Sequence, residues 1–478
     1  MGRQHQYLTT LASVFGYFIS GILNVWPSYT LSYYTSQNTT LLSAPMTSME
    51  ASLLGSLPAL GALVGTACAG MVIDGLGRKK GGLVIAMPYL LSLLMIDMTS
   101  STVVILVARF VTGFSVGASS VHAPIFISEI AEESIRGALG SAPIASYCIG
   151  TMVSYIMGWV LTYRYTIWSC IALCVVYIGL LMSVKESPVF LMRKNREDEA
   201  RQSIAHYRGE EPDSKVVMEE LSRLKQRLLP AVELVPINES EVEKAEKENL
   251  NDENDDSAEH KRMPSYKMLL VSPSSRRAFI TVGLVISLQV TMGIVPVQVY
   301  AKDIFTKAAP SLSSHMCSVM FACVLMAGSL SCALFSDRFG RKPLLLSSAI
   351  GVCLCLLSMG FLMQTNIAPP WVSAVLILMY CFAFAFGAGS VPYLLMGEVF
   401  ISEVQSIASM VLMEWVWVLN FGILAVFPFM VENFGVHGSF YCFAVFAVVD
   451  FIVALIMVPE TKGLTKEQIQ EAFLGKQK

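Results

Sequence analysis

The sequence predicts an all-α integral membrane protein in which twelve transmembrane helices form two pseudo-symmetric six-helix bundles. Hydrophobic residues make up 54% of the 478 residues and charged residues 14%, a composition far too apolar for a soluble protein of this length. One charged phrase also occurs twice, at residues 70–80 and 333–342, each time between two long apolar runs. A basic turn that recurs half a chain apart indicates that the chain consists of two related halves.

Twelve apolar stretches account for the transmembrane helices. Each is long enough to cross the hydrocarbon core of a bilayer, which is about 30 Å thick and needs about 20 helical residues. In chain order the stretches cover residues 8–32, 51–73, 82–99, 102–128, 138–161, 165–184, 277–300, 313–335, 343–364, 371–397, 406–430 and 436–458.

A hydrophilic stretch between the sixth and seventh spans divides the two halves. We expect an N-terminal bundle, a cytoplasmic linker, a C-terminal bundle and a cytoplasmic tail, at residues 1–185, 186–275, 276–460 and 461–478. Within the linker, residues 195–208 and 214–228 have a helix-forming composition with interspersed charges. Residues 232–262 are acidic and almost free of aromatic residues, which predicts disorder.

The distribution of basic residues sets the orientation in the membrane. With the N-terminus inside, the short cytoplasmic segments carry Arg3, Arg78, Lys79, Lys80, Arg136, Arg338, Arg341 and Lys342. The opposite side carries only Arg164, Lys302 and Lys307, so we expect a cell-membrane protein with both termini in the cytoplasm. Asn38, in the sequence Asn38-Thr39-Thr40, then lies in the first external loop, where we expect N-glycosylation.

The repeated phrase is accompanied by other short motifs. They are Arg109-xxx-Gly113-xxx-Gly117, Pro124-Ile125-Phe126-Ile127-Ser128-Glu129 followed by Arg136-Gly137, Glu186-Ser187-Pro188, and Pro459-Glu460-Thr461-Lys462-Gly463. Together these motifs resemble the sugar porter branch of the major facilitator superfamily, and within it the hexose and facilitative trehalose transporters. The resemblance covers nearly the whole chain and implies the major facilitator fold.

The resemblance implies a cytoplasmic gate at the inner ends of both bundles, formed by Asp74, Arg78, Glu129, Arg136, Asp337, Arg341 and Glu398. Partly desolvated ion pairs of this kind can hold one end shut and separate when the bundles rock. We therefore expect Arg78 and Glu129 to matter more for transport than for folding. Alternatively, these charges only finish helices and orient the protein. Gln405 replaces the family's arginine, so the second cluster lacks a cation.

The substrate site is where the chain departs from the family. Sugar recognition needs amides that bind hydroxyl groups, beside an apolar wall. Gln289 keeps one family amide, whereas others are replaced by Val290, Val295, Leu325 and Val416. Tyr393 and Trp417 are expected to form stacking walls, and polar groups that could compensate are Asn24, Gln298, Tyr300 and Asn420. For each compensating group, helix packing is an equally open interpretation.

The tenth span contains residues 387–393, which resemble the family's hinge in that helix. Pro392 is expected to kink the span there and so to permit gating.

Ionisable residues inside spans indicate function because they are costly in a membrane. His122, Glu414 and Asp450 are the candidates for proton coupling, and the two carboxyl groups could share a proton or be separate packing groups. Proton-coupled relatives carry an aspartate in the first span, but this chain has no acidic residue before Glu50. The sequence therefore favours facilitated diffusion.

The leading hypothesis is a transporter that moves a small neutral organic solute, by family resemblance a sugar, through alternating access. The first alternative is a proton-linked carrier of a less polar solute, and the second is a non-transporting membrane sensor. An enzyme is not expected, since no nucleophile–base spacing or phosphate loop is present. We expect a small-molecule substrate and the lipid bilayer as partners, without nucleic acid, metal or cofactor. The sequence does not indicate an oligomeric state.

Overall fold

The computed structural model describes residues 2–228, 268–269, 271–365 and 367–474, and every regular element within these ranges is a helix. The N-terminal half comprises α1 (Gly2–Val25), α2 (Pro27–Thr35), α3 (Ser48–Leu76), α4 (Arg78–Asp97), α5 (Thr102–Ile130), α6 (Glu133–Val160) and α7 (Tyr163–Ser183). Three linker helices follow, α8 (Pro188–Arg193), α9 (Glu197–Arg208) and α10 (Lys215–Leu228). The C-terminal half comprises α11 (Pro273–Thr291), α12 (Ile294–Val299), α13 (Ala301–Ala308), α14 (Ser314–Phe339), α15 (Arg341–Thr365), α16 (Pro370–Phe386), α17 (Val391–Glu398) and α18 (Ser402–Met457), with α19 (Lys466–Phe473) as the tail helix.

The twelve-helix fold that the sequence predicts is confirmed. Within the described ranges, eleven helical stretches are long and apolar enough to cross a membrane. The last of them, α18, contains two spans, because Gly435 inside it has the non-helical angles φ 70° and ψ 172°. The predicted spans 406–430 and 436–458 lie on the two sides of this glycine.

Two spans of the C-terminal half are broken, and side chains bind the backbone groups that the breaks release. In the seventh span, Gly293 adopts φ 86° between α11 and α12, and the Tyr380 hydroxyl donates to the carbonyl oxygen of Met292 at 2.8 Å. In the tenth span, residues 387–390 separate α16 from α17, and the Ala388 N–H donates to Ser348 Oγ at 2.7 Å. Such partners are required because the bilayer core offers no water to an open helix. The break predicted beside Pro392 is therefore present.

Helices α3 and α5 form the closest packed pair of the N-terminal half. A Cβ atom on Gly113 would lie 2.0 Å from the carbonyl oxygen of Pro58, and one on Gly117 would lie 2.1 Å from that of Ala62. Only glycine fits at such distances, as is typical of small residues at membrane helix crossings. The glycines of the Arg109-xxx-Gly113-xxx-Gly117 motif therefore permit the close contact between α3 and α5.

The linker helices pack against one end of the N-terminal half, beside the start of α1 and the end of α5. Gln6 of α1 donates from Nε2 to the carbonyl oxygen of Tyr207 at 2.8 Å, and Arg208 donates from Nη1 to that of Ile130 at 3.0 Å. Helices α9 and α10 agree with the helices predicted at 195–208 and 214–228. The predicted disorder of residues 232–262 falls on a segment that lies outside the described residues.

We expect one aromatic contact between α1 and α9 to make this packing sensitive to pH. The rings of His5 and His206 lie 4.0 Å apart between centroids. Partial burial, with His5 and Lys185 nearby, lowers the pKa of His206 from its ordinary value of 6.5. The folded protein therefore binds a proton at His206 less readily than the unfolded chain does, and the contribution of this contact to the free energy of unfolding decreases as pH falls below 6.5.

We predict that acidification from about pH 7.5 to about pH 5.5 lowers the amide protection factors in α9 and in the first turns of α1, where each protection factor is the intrinsic exchange rate at that pH divided by the observed rate. His206→Gln should abolish most of this pH dependence, because it removes the titrating ring. Equal pH dependence in the wild type and the variant would contradict the assignment.

A central cavity and two ion-pair clusters

A cavity of about 250 Å³ lies between the two halves near the middle of the spans. Its N-terminal wall comes from α1, α3, α5 and α6, and its C-terminal wall from α12, α17 and α18. Among the predicted substrate residues, Tyr393, Trp417 and Asn420 line it, and so does Asn24. The structure thus brings these four side chains together around one space.

The polar groups of the C-terminal wall differ in whether they already have a hydrogen-bond partner within the protein. Trp417 donates from Nε1 to Thr66 Oγ1 at 3.0 Å, which fixes the indole against the opposite half. Asn420 carries a buried Oδ1 that has no hydrogen-bond partner among the described residues. An unpaired buried acceptor facing a cavity is available to a ligand hydroxyl group.

Gln289 lies behind the cavity wall rather than on it. Its Nε2 donates to the carbonyl oxygen of Gly389 at 3.3 Å, within the break of the tenth span, and only 7% of the residue is exposed. Its Oε1 is buried without a partner in the described part of the chain. Gln289 therefore ties two broken spans together and keeps one acceptor unpaired.

Gln298 helps to close the outer end of the cavity. It donates from Nε2 to the Tyr147 hydroxyl at 3.4 Å and lies 3.5 Å from Thr151 Oγ1, both on α6 of the other half. Its own carbonyl oxygen accepts from the Tyr155 hydroxyl at 2.6 Å. Sequence analysis placed Gln298 among the substrate residues, whereas in this conformation it joins the two halves.

Two aromatic side chains, Tyr300 and Phe427, close the end of the cavity that lies opposite the linker helices. Tyr300 stacks on Phe427 with ring centroids 5.5 Å apart, and a Cβ atom on Gly55 would lie 2.6 Å from the Tyr300 hydroxyl oxygen. Gly55 lines the central cavity, while Tyr300 and Phe427 line a second cavity of about 390 Å³ on the outer side. The outer entrance is therefore closed in this conformation.

At the end of the N-terminal half that carries the linker helices, the buried Arg78 forms an ion-pair cluster. Its Nε and Nη2 donate to the two oxygens of Glu129 at 2.8 and 2.7 Å, and its Nη1 lies 3.3 Å from Asp74 Oδ1. Glu186 accepts the backbone N–H groups of Arg78 and Lys79 at 2.7 and 3.0 Å, at the N-terminus of α4. A carboxylate there is favoured by the helix dipole and by the free N–H groups.

The C-terminal half repeats this cluster. Arg341 binds Glu398 at 2.7 Å and Asp337 at 3.1 Å, and Glu460 accepts the Arg341 N–H at 3.0 Å. Thr461 donates to Glu398 at 2.9 Å, as Ser187 donates to Glu129 in the first half.

Glu186 and Glu460 lie in two of the short sequence motifs, but they are not among the residues that the sequence predicts for the gate. Comparison of the two halves would have found them, since each Glu-Ser or Glu-Thr pair follows the last span of its half.

The predicted gate residue Arg136 lies apart from the first cluster, and Gln405, at the position where the second half lacks an arginine, has a cationic partner. Arg136 donates from Nη2 to the carbonyl oxygen of Ala131 at 3.1 Å and does not join the Arg78–Glu129 pair. Gln405, which replaces the corresponding arginine, accepts from Lys466 Nζ of α19 at 2.8 Å. The tail helix therefore brings a cation to the position where the sequence lacks one.

The comparisons with known proteins agree with this geometry. Residues 7–235 and 225–473 match the family model described as "Sugar (and other) transporter". The chain belongs to this family. As a member of the sugar transporter family, it is 28% identical over 477 residues to the facilitated trehalose transporter Tret1-2 homolog of Drosophila simulans, covering 98% of this chain and 91% of that relative.

Other relatives of this sugar transporter are longer or more distant. The facilitated trehalose transporter Tret1 of Drosophila pseudoobscura pseudoobscura is 27% identical over 477 residues, and the chain spans 51% of its length. Among solved structures, the partially occluded inward-open xylose transporter XylE from E. coli has a TM-score of 0.75 at 20% identity, covering 97% of this chain and 100% of that one. That similarity shows the fold.

The three ionisable residues proposed for coupling all lie outside the cavity lining of this sugar transporter. His122 Nε2 lies 2.7 Å from the carbonyl oxygen of Arg78 and so supports the start of α4. The carboxylate oxygens of Glu414 and Asp450 are buried without hydrogen-bond partners within the described ranges, so the two groups do not share a proton here.

The burial of Arg78 predicts a folding role in addition to the gating role expected from the sequence. Arg78 is 2% exposed, and its removal would leave the largely buried Glu129 without its cation. We predict that Arg78→Ala lowers the free energy of unfolding by about 3 kcal/mol. Arg78→Lys keeps the charge but loses the two-point contact, so it should fold and still slow solute exchange.

The measurements are thermal unfolding in detergent and counterflow in liposomes. Lys80→Ala, at an exposed neighbouring position, is the control and should change neither quantity. Normal exchange in a folded Arg78→Lys protein would contradict the gating role.

Proposed function

We propose that this protein carries a neutral sugar across the cell membrane by facilitated diffusion, with its central cavity open to each side in turn. The observation that carries the proposal is the cavity itself, which lies between two related bundles and whose lining residues in the described structure are all uncharged. A cavity without charge suits a neutral solute, since a charged solute would lose its hydration without gaining a partner.

The contacts between the halves support alternating access. At the outer ends the halves are joined by single hydrogen bonds, which can separate. Examples are the bond from Ser52 Oγ to the carbonyl oxygen of Ala425 at 2.7 Å and the bond from the Lys302 N–H to Ser28 Oγ at 3.0 Å. The Arg78 and Arg341 clusters each join helices of one half. Each half can thus move as a unit while the outer contacts break.

The relatives support the solute class and the passive mechanism. The two relatives from Drosophila are facilitated trehalose transporters. We propose a multi-pass arrangement with both termini in the cytoplasm and with Asn38 glycosylated, since Asn38 is exposed in the loop between α2 and α3. We propose that the two ion-pair clusters, each of which lies within its own half in this conformation, meet across the halves to form the gate of the inward-closed conformation.

The deciding experiment is counterflow of radiolabelled trehalose and D-glucose in liposomes that contain the purified protein. Exchange that saturates and that needs the protein would support the proposal. Absence of exchange for trehalose, hexoses and pentoses would overturn it.

A second candidate function is proton-linked transport, which the buried carboxyl groups of Glu414 and Asp450 favour. A buried carboxyl without a partner binds a proton more readily than an exposed one. Both groups lie away from the cavity lining, however, so a direct exchange between proton and solute has no geometric basis here.

We predict that an imposed proton gradient does not drive accumulation of the sugar. Net flux should vanish when its concentration is equal on both sides, because a facilitator only equalises concentrations. The assay is uptake into liposomes at equal sugar concentration with an inward proton gradient. Accumulation that a protonophore abolishes, and that is absent in Glu414→Gln or Asp450→Asn, would establish the proton-linked alternative.

Gln289 provides the test of the binding site. We predict that Gln289→Ala weakens sugar binding by about 1 kcal/mol, roughly fivefold in Kd, because the amide supports the break of the tenth span and carries the unpaired Oε1. The measurement is a titration followed by tryptophan fluorescence. Gln364→Ala, at an exposed position on α15, is the matched control. An unchanged Kd would remove Gln289 from the site.

A further inference from the structure

The two walls of the central cavity differ in chemistry. The N-terminal wall presents hydroxyl and amide groups, on Tyr17, Ser20, Asn24, Thr112, Ser120 and Tyr147, beside the apolar Leu23, Pro58, Ala59 and Val116. The C-terminal wall is built mainly from apolar side chains, on Val295, Met413, Val416 and Leu424, together with Trp417, Tyr393 and Asn420.

The N-terminal wall offers both hydrogen-bond acceptors and donors. The Tyr17 hydroxyl donates to the carbonyl oxygen of Ser120 at 3.0 Å, and Ser20 Oγ donates to that of Gly16 at 2.8 Å. Asn24 donates from Nδ2 to the Tyr147 hydroxyl at 2.7 Å, and that hydroxyl also accepts from Gln298. The Tyr17 hydroxyl and the Asn24 amide oxygen keep acceptor lone pairs, while the Tyr147 hydroxyl keeps its own proton to donate. A solute that turns its own hydroxyl groups toward this wall therefore finds partners.

Around Trp417 and Val416 the C-terminal wall offers an apolar surface, and the unpaired Oδ1 of Asn420 is a separate polar point on this wall. The Trp417 N–H is bound to Thr66, so the indole presents its ring rather than a donor. Val416 is 4% exposed and has no polar atom in its side chain. A solute hydroxyl placed against these groups would lose its hydrogen bonds to water without replacement, whereas an aromatic or alkyl group would lose only unfavourable hydration.

We propose that the preferred solute is two-faced, a sugar that carries an apolar aromatic or alkyl substituent, such as an aryl glycoside. Its hydroxyl groups bind the N-terminal wall, and its substituent packs on Trp417 and Val416 of the C-terminal wall. This inference rests on the proposed sugar transport and narrows its solute class.

The test is competition with labelled D-glucose in the liposome assay. Phenyl β-D-glucopyranoside should compete about tenfold more strongly than methyl β-D-glucopyranoside, because only the phenyl group fills the apolar wall. Phenol alone should compete weakly, because it lacks the face that binds α1 and α5. Equal competition by the two glycosides, with sugar uptake intact, would overturn the inference and leave the proposed transport standing. Phenol as the strongest competitor would also overturn it, and absence of any sugar uptake would instead overturn the transport proposal.

A variant pair tests the wall directly. Val416→Asn places an amide at the centre of the apolar wall and should reduce the preference for the phenyl glycoside over D-glucose by about tenfold. Val416→Ala, which removes bulk without adding polarity, should keep the preference. If the two variants change the preference equally, the polarity of the wall does not select the solute. The competition series with the wild-type protein decides the matter even if Val416→Asn does not fold.

Discussion

The demand that backbone groups at membrane depth find hydrogen-bond partners is the constraint on which the rest of this structure depends. The seventh and tenth spans can break only because Tyr380 and Ser348 bind the released groups of Met292 and Ala388. Those breaks free the short helices α12 and α17 from the straight course of their spans. As a result, α12 can close the outer entrance and α17 can contribute Tyr393 to the cavity wall.

A second requirement is that each half keeps its shape while the interface between the halves opens. The buried guanidinium of Arg78 meets this requirement in the first half, since it joins α4 to α5 through Glu129 while Glu186 holds the start of α4. Charge-assisted contacts of this kind, in a partly desolvated place, resist separation far more than the outer contacts do. The molecule is therefore rigid within each half and separable between them.

The scaffold could be predicted from the sequence because its signals are local. Twelve apolar runs indicate the spans, and the repeated Asp-xx-Gly-Arg-Lys phrase indicates the two related halves. The glycines at 113 and 117 are typical of close contact between neighbouring helices. The division of α18 at Gly435 also followed from span length alone. These features depend on hydropathy and on helix spacing, which a single sequence displays directly.

The site was less predictable because its parts meet only in three dimensions. Gln289 and Gln298 were expected to face the solute, but their partners are backbone and hydroxyl groups of other spans. The partner of Gln405 is Lys466 on the tail helix, 61 residues farther along the chain. No pattern within one span indicates such pairs.

The two halves differ in the cavity but share the same kind of ion-pair cluster. Each cluster joins helices within one half through an arginine and a glutamate, so both halves need the same local geometry there. The cavity walls are under no such requirement to match. Polar side chains lie on α1, α5 and α6, whereas Val295 and Val416 stand where the family resemblance implies amides. Under the proposed function, this difference between the walls would set which face of the solute each half binds.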